Sequence, residues 1–296
     1  TFQAVGRMKT TMAALIAGCV CNIVLDPVLI FGLGPVPALG IAGAALATNL
    51  GQFVTFCIYL SCYSTADLPV RLRRKHLRPN AALDSKLYAI GIPAILNLAL
   101  PSLLVTFLNS LLAAFSQSYV TVLGIYYKLQ TFLYLPANGI VQGMRPLISY
   151  NYGARRPDRV KKTIKLAMCY AEGIMLIGFL LFQFAPDKLL GFFAASDAML
   201  AIGIPALRII CLHFLLAGMS IILSSSFQAL GNGMFSLIVS ICRQLVVLIP
   251  AAWLLSQTGN LNMVWWSFVI AELVSVAMSF AFFAQLNKKI IAPLYN

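Results

Sequence analysis

The 296-residue chain is 60% hydrophobic and 10% charged, with a formal net charge of +13 and a mean hydropathy of +0.89. A soluble domain lies nearer roughly half apolar and a quarter charged, so the composition excludes a water-soluble globular fold and points to a polytopic membrane protein. The excess of positive charge sits in loops that alternate with loops nearly lacking it, which excludes a nucleic-acid surface and reads as a topology signal.

Eight apolar stretches are long enough to cross a bilayer, at 11–32, 41–63, 88–115, 119–149, 163–184, 199–226, 234–255 and 263–286. The alternation of a membrane β-barrel is absent. Helices are then what satisfies the backbone in lipid, and the expected fold class is all-α, a polytopic membrane helix bundle.

Arg7 and Lys9 precede span one. That span carries one carboxylate, Asp26, in the apolar run Ile23–Phe31. An ionisable group inside a membrane helix is costly and is by default a functional candidate. Asn22 lies four residues earlier, on the same helix face. Pro27 has no N–H, so the carbonyl of Ile23 loses its helical partner. Three oxygens of different kinds can converge there to hold a proton or a small hard cation. The competing account makes Asp26 a packing residue bonded to a neighbouring helix. Span two offers Thr48, Gln52 and Thr55 as one polar stripe. Thr55 reads as interhelical glue, while Thr48 divides between that role and a place near Asp26.

The segment between spans two and three is polar and basic, with Arg71, Arg73, Arg74, Lys75, Arg78 and Lys86, and with Pro69 and Pro79. It reads as a cytoplasmic surface linker, 65–87. Span three places Pro93, Asn97 and Pro101 on one face, a bent helix with freed carbonyls. Span four is the most polar. Tyr127, Thr131, Tyr134, Asn138, Gln142 and Arg145 recur at spacings of three and four, interrupted by Pro136 and Gly139. Packing accounts for two or three such residues; six in register predict a hydrated cavity wall, with neighbours such as Leu133 and Leu135 dry. Lys128 and Arg145 near the ends also suit snorkelling.

A second basic cluster, Arg155, Arg156, Arg159, Lys161, Lys162 and Lys165, follows span four; Lys288 and Lys289 follow span eight. The opposite loops hold Lys188. This bias places the basic loops and both ends of the chain in the cytoplasm, in a plasma (inner) membrane. Glu172, Arg208, Arg243 and Glu272 complete the intramembrane charges. Glu272 and Arg243, on adjacent spans, read as a structural ion pair, and Glu172 as a lesser candidate for a second coupling acid. Trp253, Trp265 and Trp266 read as an interfacial belt. The seven cysteines all fall in spans without a CxxC pair, and read as small packing residues. There is no HExxH, Walker A loop or Gly-x-Ser-x-Gly elbow, so no enzyme, no cofactor and no dedicated metal centre is expected.

Phe2-Gln3-Ala4-Val5-Gly6 recurs as Phe227-Gln228-Ala229-Leu230-Gly231, each before a helix with an internal proline, Pro27 or Pro250. Spans one–two and seven–eight are therefore candidate parallel repeats, a transporter plan. The chain divides into 1–64, a partial first lobe; 65–87, the linker; and 88–296, a six-helix second lobe. By symmetry, four further helices are expected upstream of residue 1.

These features resemble the MATE family of multidrug and toxic compound extrusion antiporters, in its bacterial DinF/MepA-like branch. The resemblance rests on Phe2–Gly6, Asn22–Asp26–Pro27 through Gly32, Gly43–Thr48, Gln142–Ala154 and Phe227–Asn232. It implies twelve helices in two six-helix lobes, of which this chain supplies the fifth to the twelfth. It also implies secondary antiport: amphipathic or cationic organic molecules exported in exchange for H⁺ or Na⁺, by alternating access. Asn22 and Asp26 match fifth-helix positions of that branch's cation site, with Thr48 a further candidate and Na⁺ possible at Asp26 and Asn22. Asn97, Thr131, Tyr134, Asn138 and Gln142 are the candidate substrate-cavity residues. The seventh-helix acid of the other large branch is absent; that helix carries Asn97. The expected partners are small organic molecules and the bilayer, with no nucleic acid, and the protein is expected to be monomeric. Two alternatives stand: a lipid-linked saccharide flippase of the same superfamily, which requires Arg145, Arg208 and Arg243 to cluster in the cavity, and a non-transporting scaffold or nonfunctional truncation.

Overall fold

A computed structural model describes residues 2, 3, 5–33, 37–65 and 80–295. Among them every element is helical, and no strand occurs. The chain forms two compact units, Thr1–Pro79 and Asn80–Asn296. Of the segment expected as a linker, 66–79 lies outside the described residues, with its arginines and Lys75; so does the side chain of Lys86.

The first unit is a helical hairpin, α1 (Met8–Phe31) and α2 (Ile41–Thr65). Gly32 ends α1 in the left-handed region at φ 73°, and its N–H bonds to the Val28 carbonyl. The chain then turns back: Leu39 and Gly40 donate to the carbonyls of Leu29 and Ile30. The two helices run antiparallel, since Thr11, Ala14 and Gly18 meet Tyr59, Thr55 and Gly51 in that order. Small residues let the backbones approach. A Cβ on Gly51 would lie 2.7 Å from the Gly18 carbonyl oxygen and 3.1 Å from Asn22 Cβ. Beside this contact Thr55 Oγ1 donates to the Ala14 carbonyl at 3.3 Å, the interhelical glue expected of it.

The second unit comprises α3 (Ala81–Ala113), α4 (Gln117–Gly153), α5 (Pro157–Phe184), the short α6 (Pro186–Gly191), α7 (Asp197–Ile210), α8 (Phe214–Ala229), α9 (Gly233–Ile241), α10 (Ile249–Ser256) and α11 (Trp266–Leu286). α7 and α8 are joined by a 3₁₀ turn into one rod, Asp197–Ala229. α9 and α10 are joined by a π-helical stretch, Cys242–Leu248, into another, Gly233–Ser256. The stretch ends beside Pro250, which lacks the N–H to continue a regular ladder. α3 starts at Ala81, earlier than the hydropathy onset at 88, because Asn80 caps its first turn by accepting from the Ala82 and Leu83 amides. Among the described residues of both units, seven rods, α1 and α2 included, are long and apolar enough to cross a membrane. α4 is the longest helix at 37 residues but is too polar to count among them. Two apolar cores hold the unit together. One centres on Leu108, Tyr126, Phe214 and Trp265, the other on Ile148, Ile164, Ile222 and Phe227. Trp265 is fully buried and stacks on Tyr119, so it is a core residue and not part of an interfacial belt; Trp253 and Trp266 are exposed.

The internal repeat is visible in the backbone. Gly6 (φ 78°) and Gly231 (φ 80°) are both left-handed. In each copy the glycine N–H bonds three residues back, to Gln3 or Gln228, and the next N–H bonds five residues back, to Phe2 or Phe227. This is the Schellman closure of a helix end. The offset of 225 between Phe2 and Phe227 also relates Met8 to Gly233, Phe31 to Ser256 and Ile41 to Trp266, which are the helix boundaries of the two copies.

The hairpin contact gives a prediction of opposite signs for one substitution. Gly51→Ala forces α1 and α2 apart and should cost about 1–3 kcal/mol. Gly173→Ala, in α5 with nothing within 4 Å of the added methyl, should be neutral or stabilise by up to ~1 kcal/mol. Thermal unfolding in detergent reads both.

Candidate functional site

In the first unit, Asn22 and Asp26 are brought together. Asn22 Nδ2 donates to Asp26 Oδ1 at 3.4 Å, one turn apart on α1, with both residues half-buried. Asn22 is held from behind by Gly51, whose missing side chain leaves room for its Cβ. Pro27 lies inside α1 and leaves the Ile23 carbonyl without an N–H partner one turn on. A carboxylate, an amide and a free carbonyl therefore lie within one and a half turns. Thr48 is not part of this group: it is exposed, and its hydroxyl bonds to the Ala44 carbonyl of its own helix at 3.0 Å.

In the second unit, Thr131, Tyr134 and Asn138 line one cavity of about 580 Å³ together with Tyr127, Gln130 and Leu135. Leu135, expected to be dry, faces the same space, because it lies four residues after Thr131 and three before Asn138 and so on the same helix face. Tyr127, Gln130 and Tyr134 also border a second cavity of about 610 Å³, closed by His213, Phe268, Arg243 and Glu272. Asn97 lines a smaller space of about 180 Å³, which shares Pro101, Arg243 and Gln244 with the second cavity. Gln142 is exposed and lines none of these three.

The expected ion pair is present: Arg243 Nη1 meets Glu272 Oε2 at 3.1 Å. Arg243 lies in the π-helical stretch, a deviation that often marks functional positions. Glu272 Oε1 is buried without a hydrogen-bond partner. His213 Nδ1 contacts the Ile210 carbonyl, which can only accept, so Nδ1 carries the proton; Nε2 then accepts from the Tyr134 hydroxyl at 3.4 Å.

A chain of hydrogen bonds runs beside the smallest cavity. Arg145 Nη2 donates to Gln228 Oε1 at 2.8 Å, which fixes the orientation of that amide. Gln228 Nε2 donates to Ser236 Oγ at 2.8 Å, as does Asn97 Nδ2 at 3.1 Å. With both lone pairs taken, Ser236 must give its own proton to Ser224, 2.6 Å away. Asn97 thus ties α3 to α9 as well as lining a cavity. Of the three intramembrane arginines, Arg243 lines cavities; Arg145 is engaged by Gln228, and Arg208 is exposed. Glu172 packs its carboxylate against Gly218 on α8, and its Oε2 is buried without a hydrogen-bond partner.

Sequence reasoning missed His213, Gln130 and Gln244 as cavity residues. Gln130 was within reach, since it lies between Tyr127 and Tyr134 at helical spacing. The serines of the small cavity carry no signal, because serine is common in membrane helices.

Two predictions follow from this geometry. In a cysteine-free background, cysteine at Thr131, Tyr134 or Asn138 should react with an impermeant thiol reagent. Cysteine at Ala137 or Leu129, both buried, should stay protected. Separately, Arg243→Met leaves the Glu272 carboxylate, 2% exposed, without its partner and should cost about 3 kcal/mol; the double variant with Glu272→Met should recover most of that. Thermal melts of the two single variants and the double variant check it.

The family model described as MatE matches residues 93–254. The chain is 27% identical over 272 residues to the multidrug export protein MepA of Staphylococcus haemolyticus (strain JCSC1435), covering 92% of this chain and 59% of that protein. It is 29% identical over 271 residues to MepA of Staphylococcus aureus (strain bovine RF122 / ET3-1), covering 91% and 58%. It therefore spans just under three fifths of the length of these curated relatives. Among solved structures, an outward-facing conformation of a multidrug resistance MATE family transporter of the MOP superfamily superposes with a TM-score of 0.86 at 26% identity, covering 99% of this chain and 65% of that one. The match of the family model runs from α3 into α10, takes in Arg243 and the α4 wall of the cavities, and covers more than half of the residues: the chain belongs to the MatE family.

Proposed function

We propose that the protein is a secondary multidrug antiporter. It exports amphipathic or cationic organic compounds in exchange for H⁺ or Na⁺ by alternating access, in the plasma membrane, with both ends of this chain on the cytoplasmic side. The single observation that carries the antiport reading is the Asn22–Asp26 pair, 3.4 Å apart and half-buried on an otherwise apolar helix. Family membership, the likeness to multidrug export proteins and the cavities of the second unit support the export reading.

The chemistry follows from the donor set. A proton neutralises Asp26 directly. Sodium would take the same carboxylate, with the Ile23 carbonyl and the Asn22 amide oxygen as neutral ligands, so the two ions compete for one charge. An ion drives a conformational cycle only by binding one state more tightly than the other. A carboxylate that is open to water in one state and enclosed in the other meets that requirement, because its charge is tolerated in the first and must be neutralised in the second. The basic loops carry the orientation by the positive-inside bias. Thr48 donates its proton to Ala44 and keeps its oxygen lone pairs, so it would join the cation site only if that oxygen came within reach of the ion.

Asp26→Asn keeps the size and removes the charge. The variant should insert normally, because neutralising a membrane acid does not oppose insertion. In proteoliposomes under an imposed proton or sodium gradient, efflux of a fluorescent cationic dye should fall to background. Asn22→Ala should reduce efflux less severely, since it removes a neutral ligand. Dye movement at the parental rate under both gradients in the Asp26→Asn protein would refute the coupling role.

A further inference from the structure

Besides His213, the ionisable acid and base groups lining the three cavities described above are one carboxylate and one guanidinium, Glu272 and Arg243. The two do not face the space equally. Glu272 is 2% exposed, whereas Arg243 is 31% exposed. Both line the 610 Å³ cavity, and of the two Arg243 is the side chain more open to an entering molecule. The guanidinium offers five N–H donors in a planar fork, and Glu272 engages Nη1. The remaining edge of the fork can accept a planar carboxylate. The other polar groups of the wall, Gln130, His213 and Gln244, are neutral, and Tyr127, Tyr134 and Phe268 supply aromatic faces.

We infer that this cavity binds an amphipathic aromatic anion, with its carboxylate on Arg243 and its ring among Tyr127, Tyr134 and Phe268. The cavity volume suits a small organic ligand. A cation would have to displace Arg243 to reach the acid and would strand the guanidinium in a site with no second carboxylate. An anion instead adds a second partner to a group built to bridge two. The inference rests on the reading of this cavity as a ligand site and adds to it the sign of the charge recognised. A fatty acid from the bilayer presents the same carboxylate; the aromatic wall favours a ring over a chain.

The test uses matched probes with the full chain in zwitterionic lipid nanodiscs, with empty discs subtracted. 2-Naphthoate and 2-naphthylmethylammonium share one ring and differ in the sign of the charge; decanoate supplies the anion without the ring. Naphthoate should bind saturably, and about tenfold or more tighter than the ammonium, as expected for a charge-assisted hydrogen bond. Decanoate should compete at least about tenfold more weakly than naphthoate, in line with the lost aromatic contact. Arg243→Gln alone would leave Glu272 unpaired, so the decisive variant is Arg243→Gln with Glu272→Gln, which keeps a neutral hydrogen-bonded pair. It should melt near the parental temperature and lose naphthoate binding about tenfold, with the ammonium unaffected. Tighter binding of the ammonium, or unchanged naphthoate affinity in the double variant, would overturn the proposal. Equal competition by decanoate would assign the site to lipid chains and overturn its aromatic part. Absence of saturable binding by either naphthalene probe would remove the cavity as a ligand site. The antiport reading is judged separately, by gradient-driven dye efflux through Asp26.

Discussion

Hydrocarbon offers the backbone no hydrogen-bond partner, and every feature described above follows from how this chain meets that constraint. It requires helices, and each interruption of a helix then leaves a polar group that something local must satisfy or a ligand must use. Pro27 exposes a carbonyl one turn before Asp26, and the functional candidate lies there. Ahead of Pro250 the chain widens into a π-helical stretch, and Arg243 projects from it. At Gly32 and Gly231 the left-handed conformation lets the terminal carbonyls be capped by the chain's own amides.

Side-chain polarity obeys the same economy. Thr55, Ser149 and Tyr59 donate to carbonyls of neighbouring helices, and many other hydroxyls fold back onto their own helix, as Thr48, Thr106 and Thr131 do. Among the described residues the groups that remain buried without partners are mostly acceptors, and several belong to residues of cavity walls: Asn97 Oδ1, Tyr127 Oη, Gln244 Oε1 and Glu272 Oε1.

Much of this was legible in the sequence. The all-helical fold and the approximate helix positions followed from hydropathy, since long apolar runs in lipid have one backbone solution; of the eight spans expected, α4 is too polar to rank as a membrane span, and α3 starts earlier than its apolar run. The Arg243–Glu272 pair followed from the cost of unpaired membrane charge. The wet face of α4 followed from helical spacing for Thr131, Tyr134 and Asn138, whereas Gln142 shares the periodicity but lines none of the three cavities. What sequence could not supply was which neighbour each polar group finds. Thr48 looked free for Asp26 and is engaged by Ala44. Trp265 looked interfacial and is the largest fully buried side chain, because a local 3₁₀ turn rotates it inward. Such outcomes depend on rotamer and on the packing partner, neither of which has a periodic signature.

The 225-residue offset lets the two hairpins be compared rung by rung. Gly18 of the first copy falls on Arg243 of the second, and Ala47 falls on Glu272. In the first copy both positions are small, Gly18 lies against Gly51 and Thr55, and the helices pack closely enough for backbone to touch backbone. In the second copy the matching positions hold two long charged side chains that meet as an ion pair beside a cavity. A duplicated frame has thus diverged in volume along its seam, with Gly18, Gly43 and Gly51 of the first copy matched by Arg243, Phe268 and Val276 of the second, while keeping the same helix starts and stops. For evolution, and for engineering, the gap between the helices can be reset by the size of the facing side chains, with the helix boundaries left untouched.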